Sequence, residues 1–248
     1  KIKILQSLAL KTIQFQEPLK INLEALVSLD LIYAKARLAK TMSAVHCPMN
    51  SDSIIELKEA RNPELVLDGE TVIPNTINWD NSIRVVIISG PNTGGKTVTL
   101  KTLGLLALMA RAGLYLPVKE HSKIPFFPKI YSDIGDDQNI QLKLSTFSGH
   151  LKKIIHILNH VDAGSLVLLD ELGIATDPAE GAALAEAILF DLKNKNVMTL
   201  VSTHYFTLKI LAQTHEGFLN ACTEFDLETL GPTYRLIFGA PGQSAALD

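Results

Sequence analysis

The sequence predicts an α/β fold built on a mainly parallel sheet that is flanked by helices. Three short apolar runs carry this prediction, and they cover residues 84–89, 165–170 and 197–202. Each run is followed by a segment with the signals of a helix. Continuous apolar strands that alternate with helices are typical of a parallel sheet buried on both faces. We therefore expect these runs to be neighbouring strands of one sheet.

The N-terminal part has a different pattern. Residues 22–43 carry apolar residues at three- and four-residue spacing, which predicts an amphipathic helix of about six turns. Residues 1–14 are either an earlier helix or the remnant of one. Pro48 and the polar residues after it end this region. We therefore expect two parts, a helical connector in residues 1–50 and a sheet-based domain in residues 51–248.

Other elements are predicted from helix-start and turn signals. Ser145 opens a helix with one apolar side. Asp177 caps the helix after the second strand, with Pro178 in its first position and Glu180 completing a capping box. A further helix begins near Tyr205. Close to the C-terminus, the segments TEFDLE and TYRLIF flank a Gly-Pro turn, which predicts a β-hairpin.

Composition and charge exclude several classes of protein. Of the 248 residues, 47% are hydrophobic, 20% are charged and the net charge is −3, which is typical of a globular chain. No apolar run approaches the roughly 20 residues that span a bilayer, so we expect no membrane partner. No dense Lys/Arg cluster is visible, so most of any DNA-binding surface is expected outside this chain. Cys47 and Cys222 match no metal spacing, which favours free thiols in a reducing cytoplasm. The chain begins without Met, so we expect it to be a piece of a longer protein.

The sequence GPNTGGKT at residues 90–97 points to nucleotide chemistry. It fits the P-loop pattern G-x-x-x-x-G-K-[ST] and lies between a predicted strand and a predicted helix. Its glycines allow the backbone to turn N–H groups toward phosphate oxygens. Lys96 is expected to reach the β- and γ-phosphates, and Thr97 to supply a hydroxyl to Mg²⁺. The alternative is a glycine turn that only connects strand to helix, and the Lys and Thr argue against it.

Two carboxylates end the second apolar run, in the sequence SLVLLDE. Asp170, at the end of the strand, is expected to hold Mg²⁺ through its water shell. Glu171 points differently and is the candidate for activating the attacking water. Taken alone, the pair is equally compatible with two acids at the solvated end of a strand. Its position at the carboxyl edge of the sheet that carries the glycine loop favours a functional role.

His204 and Ser145 are further candidates, each with a structural alternative. His204 follows the third apolar run in the sequence STHYF, at the same edge of the sheet. It could contact the γ-phosphate or the water, or it could cap the next helix. Ser145 offers a hydroxyl, a backbone N–H and a helix N-terminus to a phosphate. From its position alone, a plain N-cap is the better interpretation of Ser145.

Four motifs in this order resemble the ATPase domain of the MutS family, which belongs to the ABC-type branch of P-loop ATPases. They are GPNTGGKT, LSTFSGHL, LVLLDELGIATDPAEGAALA and STHYF, and the resemblance covers roughly residues 20–248. Thr93 and Thr97 stand where the mismatch-recognising MutS proteins typically have Met and Ser. With TDPAEGAALA and the closing TYRLIFGAPGQSAA, they make the chain more similar to the second bacterial subfamily, the MutS-two proteins.

The resemblance implies an Mg²⁺-dependent ATPase whose nucleotide sites are shared across a homodimer. Ser145, which matches the serine of the signature helix, would then reach the γ-phosphate bound by the other subunit. Val72 and Ile73 match the segment that packs on adenine, here with aliphatic side chains. Asn92 would lie over the phosphates. The nucleotide-binding positions of the loop are Gly90, Pro91, Asn92, Thr93, Gly94, Gly95, Lys96, Thr97 and Val98.

The catalytic and metal-binding positions follow from the motifs above, and the resemblance adds that His204 matches the switch histidine. Glu171, His204 and Lys96 would be catalytic, with His204 as the switch histidine. Thr97 and Asp170 would be the metal ligands. One departure stands beside them, because the family usually has a small residue and Gly after DELG, where this chain has Ile174 and Ala175. A lost glycine restricts the backbone of a loop that should meet the partner subunit.

The resemblance supports one functional hypothesis and leaves three others open. In the first, ATP binding closes the dimer, and the helix over residues 22–43 is the end of a lever that passes the closure to a clamp on branched DNA, in control of recombination and repair. In the second, the same switch acts on stalled ribosomes. The third is mismatch recognition, which the motif details disfavour. The fourth is a nucleotide-binding scaffold that hydrolyses ATP poorly.

Overall fold

The computed structural model of the chain describes residues 1–135, 143–173, 177–226, 229 and 231–240, with the backbone alone at residues 92 and 143–147. The described elements follow each other along the chain as helices and strands. They are α1 (Ile2–Ile13), α2 (Gln16–Thr41), β1 (Met49–Asn50), β2 (Ile55–Ala60), α3 (Pro63–Leu67), β3 (Asn75–Trp79), β4 (Val85–Ser89), α4 (Lys96–Arg111), β5 (Ile124–Pro125), β6 (Ile130–Asp133), α5 (Lys143–His160), β7 (Leu166–Leu169), α6 (Pro178–Asn194), β8 (Met198–Ser202), α7 (Phe206–Thr214), β9 (Phe218–Asp226) and β10 (Gly231–Phe238).

The central sheet has six strands in the order β10-β9-β4-β8-β7-β6. Among the described strands of this sheet, only β10 runs antiparallel to its neighbour, and the other four pairings are parallel. The three predicted apolar runs form the adjacent strands β4, β8 and β7. The mainly parallel sheet is therefore confirmed. Two small sheets accompany it, a parallel pair of β1 with β5 and an antiparallel pair of β2 with β3.

The central strands β4, β7 and β8 are buried on both faces of the sheet. Alternate residues of a strand point to opposite sides, so each strand contributes to two cores. On β4, Val86 and Ile88 belong to a core that also contains apolar residues of α4, β2 and β3. Val85 and Ile87 belong to a second core, with apolar residues of α5, α6 and α7. The flanking helices are thus confirmed as the layers that cover the sheet.

The helix starts agree with the predicted signals at some positions and differ at others. The Asp177 carboxylate accepts hydrogen bonds from the backbone N–H groups of Ala179 (2.9 Å) and Glu180 (3.3 Å), so the predicted N-cap of α6 is confirmed. Helix α5 begins at Lys143, so Ser145 lies in its first turn and does not open it. The prediction starts the helix two residues too late, because it takes Ser145 as the opening residue, whereas Lys143 and Leu144 are already helical.

The C-terminal hairpin is confirmed, but its turn is not where the Gly-Pro pair indicated. Gly231 and Pro232 already pair with Asp226 and Phe225, so they begin β10. A proline is tolerated there because β10 is the edge strand and needs no donor on its outer side.

Helices α1 and α2 stand apart from the two cores. An earlier helix is present over Ile2–Ile13, and α2 begins at Gln16, before the predicted start. Neither helix contains a buried residue, although both carry many large apolar side chains. Lys35 Nζ donates to the carbonyl of Ala112 over 2.9 Å, and Arg61 donates to the carbonyl of Met42 over 2.7 Å. Among the helices in the described part, none is both long and apolar enough to cross a membrane.

Candidate nucleotide site

The glycine loop joins the buried end of β4 to the first turn of α4. Asn92–Gly94 form a short 3₁₀ turn, and Gly95 forms the N-cap of α4 with a φ of 90°. That backbone region strongly favours glycine. The loop brings the N-terminus of α4 to the carboxyl edge of the sheet. Free backbone N–H groups and the partial positive charge of a helix N-terminus suit an anion.

Thr223 of β9 packs directly against this loop. A Cβ atom added at Gly90 or at Gly94 would collide with the Thr223 hydroxyl oxygen. Thr223 is 6% exposed, and no hydrogen-bond partner for its hydroxyl is found among the described residues. The two glycines are therefore required by the close approach of the loop to a neighbouring strand, in addition to any contact with phosphate.

The side chain of Lys96 is hydrogen-bonded to the backbone of the glycine loop. Its Nζ donates to the carbonyl oxygens of Gly90 (2.6 Å) and Pro91 (3.1 Å), and the residue is 2% exposed. Burial lowers the pKa of Lys96, and the nearby carboxylates of Glu171 and Asp170 oppose this effect. The amine is thus held beside the loop backbone, near both acids.

Thr97 and Asp170, the two predicted metal ligands, contact each other. Thr97 Oγ1 donates to Oδ2 of Asp170 over 2.7 Å. The other carboxylate oxygen, Oδ1, accepts a short hydrogen bond from the hydroxyl of Ser202 at the end of β8. Carboxylate and hydroxyl oxygens are ligands that Mg²⁺ uses in proteins. The pair therefore fits a hard divalent cation held between the loop and the end of β7.

Glu171 and His204 face each other at the same edge of the sheet. Glu171 Oε1 lies 3.5 Å from His204 Nε2, and that nitrogen lies 3.4 Å from Lys96 Nζ. In a neutral imidazole, Nε2 can accept from Lys96 or donate to Glu171, but not both at once. Tyr205 is the N-cap residue of α7, so the capping alternative for His204 is wrong.

The backbone at Glu171 explains why it and Asp170 have different neighbours. Glu171 has a φ of 53°, which is uncommon for a residue other than glycine. Its N–H donates to Oγ of Ser202 over 2.9 Å, the same hydroxyl that donates to Asp170. The left-handed turn separates the directions of the two adjacent side chains, and Ser202 holds the Asp170 carboxylate and the Glu171 backbone.

A pocket of about 360 Å³ opens beside the end of the glycine loop. Val72 and Ile73, the residues predicted to pack on adenine, line it together with Gly95, Val98 and Tyr234. A volume of this size and a partly apolar wall are typical of small-molecule sites. The structure thus brings the predicted adenine segment to the same cavity as the loop.

Tyr234 belongs to an irregular part of β10, where the register with β9 shifts between Pro232 and Leu236. It has a φ of 58°. Asn75 holds the backbone that follows it, because its Nδ2 donates to the Tyr234 carbonyl (2.8 Å) and its Oδ1 accepts from the Leu236 N–H (2.7 Å). The tyrosine is therefore anchored at the mouth of the pocket.

Some predicted positions lie outside the described part of the structure. The side chains of Asn92 and Ser145 are among them, as are Ile174 and Ala175, so their predicted roles stay predictions. Sequence reasoning in turn missed Ser202, Thr223 and Tyr234. Ser202 had a usable signal, because a Ser that ends a buried strand next to the STH sequence lies at the carboxyl edge. Thr223 and Tyr234 had none, since their role depends on contacts with a distant loop.

A strand, a glycine loop with Lys and Thr at the following helix start, and an acid at the end of a parallel strand define a P-loop nucleotide-binding domain. The comparisons with known proteins extend this. Residues 86–237 match the family described as MutS domain V. The chain therefore belongs to the MutS family, and it is a MutS2-like ATPase domain for which ATP is the implied nucleotide.

Several relatives are similar over nearly the whole chain. It is 49% identical, over 99% of its length, to the putative endonuclease MutS2 of Bacillus subtilis (strain 168). It is 50% identical, over 98% of its length, to endonuclease MutS2 of Lachnospira eligens. It is 48% identical, over 99% of its length, to endonuclease MutS2 of Caldicellulosiruptor bescii. The chain spans 31% of each of these relatives, so it corresponds to about a third of them. The MutS-two resemblance is confirmed.

Proposed function

We propose that this chain binds and hydrolyses ATP with Mg²⁺, in sites shared across a homodimer, and that the resulting dimer closure drives a DNA clamp in the control of recombination and repair. One observation carries the proposal. Lys96, Thr97, Asp170, Glu171 and His204 come from three different segments and converge at one edge of the parallel sheet, where His204 lies beside Lys96 and Glu171 and Thr97 contacts Asp170. Ligands of open α/β sheets bind at this edge.

The loop residues Gly90 to Val98 bind the phosphates. Their backbone N–H groups and the N-terminus of α4 surround the anion. Lys96 exchanges its bonds with the carbonyls of Gly90 and Pro91 for bonds with phosphate oxygens, and Asn92 lies over them. The buried site favours this exchange, because an ammonium that lacks water gains more from an anion than an exposed one does.

Thr97 and Asp170 hold Mg²⁺, and their direct contact and oxygen donors support this assignment. When bound, the ion neutralises charge on the β- and γ-phosphates. Ser202 keeps the Asp170 carboxylate oriented through its hydrogen bond.

Glu171 is the general base. It accepts a proton from the water whose oxygen attacks the γ-phosphorus, while the bond from that phosphorus to the bridging oxygen breaks and leaves ADP. His204, within reach of Glu171 and of Lys96, contacts the γ-phosphate or the water. The left-handed backbone at Glu171 supports a functional role, because such conformations cluster at active sites.

The pocket beside the loop binds the base. Val72, Ile73 and Val98 supply an aliphatic wall, and Tyr234 adds an aromatic ring at its mouth. Aromatic and aliphatic faces of this kind pack on a purine without needing charge.

The second half of each site comes from the partner subunit. Ser145 lies in the first turn of α5, where a hydroxyl and the helix N-terminus together suit a phosphate. The resemblance to the MutS family implies that this serine acts in trans.

Outside the ATPase site, helices α1 and α2 are the end of the lever. Their many exposed apolar side chains, which have no partner within the described part of the chain, support this assignment. The word endonuclease in the names of the relatives describes those longer proteins, and we assign no nuclease chemistry to this chain.

Nucleotide affinity and turnover of matched lysine variants test the site. We expect Lys96→Ala to lose nucleotide affinity and phosphate release. Lys101→Ala, an exposed lysine on the same helix, should behave like the wild type. Unchanged affinity in Lys96→Ala would argue against the phosphate cradle.

Mixed dimers test the sharing of sites. Lys96→Ala subunits retain Ser145, and Ser145→Ala subunits retain the loop. Each variant alone should turn over slowly, and their mixture should regain part of the activity. If the mixture is no more active than the two variants alone, the sites are not composite.

A further inference from the structure

A buried carboxylate lies at the end of β6, next to the site but outside the chemistry described above. Asp133 is 5% exposed. Its Oδ2 lies 2.7 Å from Nδ1 of His150, and its Oδ1 lies 3.2 Å from Nζ of Lys153. Both partners belong to α5. Because they are three residues apart, they lie on the same face of the helix, toward Asp133.

The main chain of Asp133 contacts the neighbouring strand β7, at the nucleotide site. Its carbonyl oxygen accepts a hydrogen bond from the N–H of Asp170 over 2.9 Å. In the strand register, Asp133 pairs with Leu169, the last residue of β7. One residue therefore contacts α5 through its side chain and the proposed metal ligand Asp170 through its main chain.

The side-chain contacts of Asp133 favour one position of α5. Because the carboxylate is buried, it would be left without these partners if α5 moved away from β6. Ser145 precedes His150 by five residues on the same helix, which is about 7.5 Å along the axis. The contacts of Asp133 with His150 and Lys153 are therefore close to the helix turn that contains Ser145.

We propose that Asp133 is a positioning residue that fixes the α5 helix, and with it Ser145, relative to the nucleotide site of its own subunit. This inference rests on the proposed composite site. Ser145 serves the nucleotide of the partner subunit, while Asp133 also contacts Asp170 of its own site. Asp133 thus connects the nucleotide site of its own subunit with Ser145, which acts at the nucleotide site of the partner subunit.

The mixed dimer distinguishes a positioning role of Asp133 from a general role in stabilising the fold. The parent mixture combines Lys96→Ala subunits, which lend Ser145, with Ser145→Ala subunits, which supply the loop. Asp133→Asn is then added to one kind of subunit or to the other. It keeps the shape of the side chain and its backbone contact with Asp170, and it removes the charge that holds His150 and Lys153.

We expect the defect to follow the subunit that lends Ser145. In the Lys96→Ala subunit, Asp133→Asn should lower kcat between about 10- and 100-fold, because a small displacement of a reacting group is enough for that. The KM for ATP should stay unchanged. In the Ser145→Ala subunit, the same substitution should leave kcat close to the parent value. An equal loss in both positions, or no loss in the first, would overturn the inference.

Two further controls keep the test decisive. If Asp133→Asn does not fold, as judged by thermal unfolding, Lys153→Gln in the same two positions replaces it, with the adjacent exposed Lys152→Gln as its matched control. The smaller loss with Lys153→Gln should again follow the subunit that lends Ser145. An inactive parent mixture would instead refute the composite site itself, which separates failure of the proposed function from failure of this inference.

Discussion

The hydroxyl of Thr97 donates a hydrogen bond to Asp170 over 2.7 Å, which ties the start of α4 to the end of β7. The two residues are 73 positions apart in the sequence. Each was predicted as a metal ligand from its own motif, and neither motif mentions the other. Their contact therefore supports a single metal site at the point where the glycine loop meets the neighbouring strands.

Removing the Thr97 hydroxyl should lower the Mg²⁺-dependent ATP turnover but leave the metal-independent nucleotide affinity nearly unchanged. Thr97→Val keeps the shape of the side chain and loses the oxygen. We expect its Mg²⁺-dependent ATP turnover to fall by about 100-fold or more, because the metal contributes several kcal/mol of charge stabilisation. Nucleotide affinity measured in EDTA should change little. Thr97→Ser, which retains the oxygen, is the control and should remain active. Full turnover in Thr97→Val would exclude Thr97 as a ligand.

Ser202 should matter for both stability and turnover. Its hydroxyl accepts from the Glu171 N–H and donates to Asp170, so Ser202→Ala leaves two polar groups without a partner. We expect a loss of about 1–3 kcal/mol in the free energy of unfolding, together with a lower kcat. Thr199→Val on the same strand is the matched control. Its buried hydroxyl has no hydrogen-bond partner among the described residues, so its removal should not destabilise the fold. Equal effects of the two variants would contradict the role of Ser202.

The close approach of Thr223 to the loop predicts a compensating pair. Gly94→Ala adds a methyl group that would meet the Thr223 side chain, with Cβ of Thr223 at 2.9 Å. We expect this variant to lose nucleotide affinity, and Thr223→Gly, which removes both the hydroxyl and Cβ, to restore part of it in the double variant. Gly231→Ala, whose added Cβ would have its nearest neighbour at 3.6 Å, is the control. If Thr223→Gly restores nothing, the contact with β9 does not explain the glycine.

The apolar runs predicted β4, β7 and β8 because burial on both faces leaves a continuous local signal. Lys96, Thr97, Asp170, Glu171 and His204 were predicted because each stands at a strand end or helix start that its own neighbours reveal. Thr223, Tyr234 and Asp133 were not, since each acts on a segment far away in the sequence. The Gly-Pro pair was wrongly predicted as the hairpin turn for a related reason. Whether a strand tolerates proline depends on whether that strand lies at the edge of the sheet.

Cys47 offers a pH-dependent test of the fold. Burial raises the pKa of its thiol to about 11. Since the thiolate is the reactive form, alkylation of the native protein at pH 8 should be more than about 100-fold slower than that of an unfolded thiol. The rate should rise about tenfold for each pH unit up to about 11, because the pKa lies above these pH values. Measurement in a Cys222→Ser background isolates Cys47, and guanidinium-unfolded protein is the control. A rate that levels off near pH 8.5 would contradict burial.

The central claim is that Glu171 activates the water at an ATP site built on Lys96. The most direct measurement compares ATP affinity and ATP turnover in Glu171→Gln, with the exposed Glu216→Gln as a matched control. We predict that Glu171→Gln binds ATP with nearly wild-type affinity and loses turnover by about 10²- to 10⁴-fold, while Glu216→Gln retains both. Equal turnover in Glu171→Gln and the wild type would contradict the account.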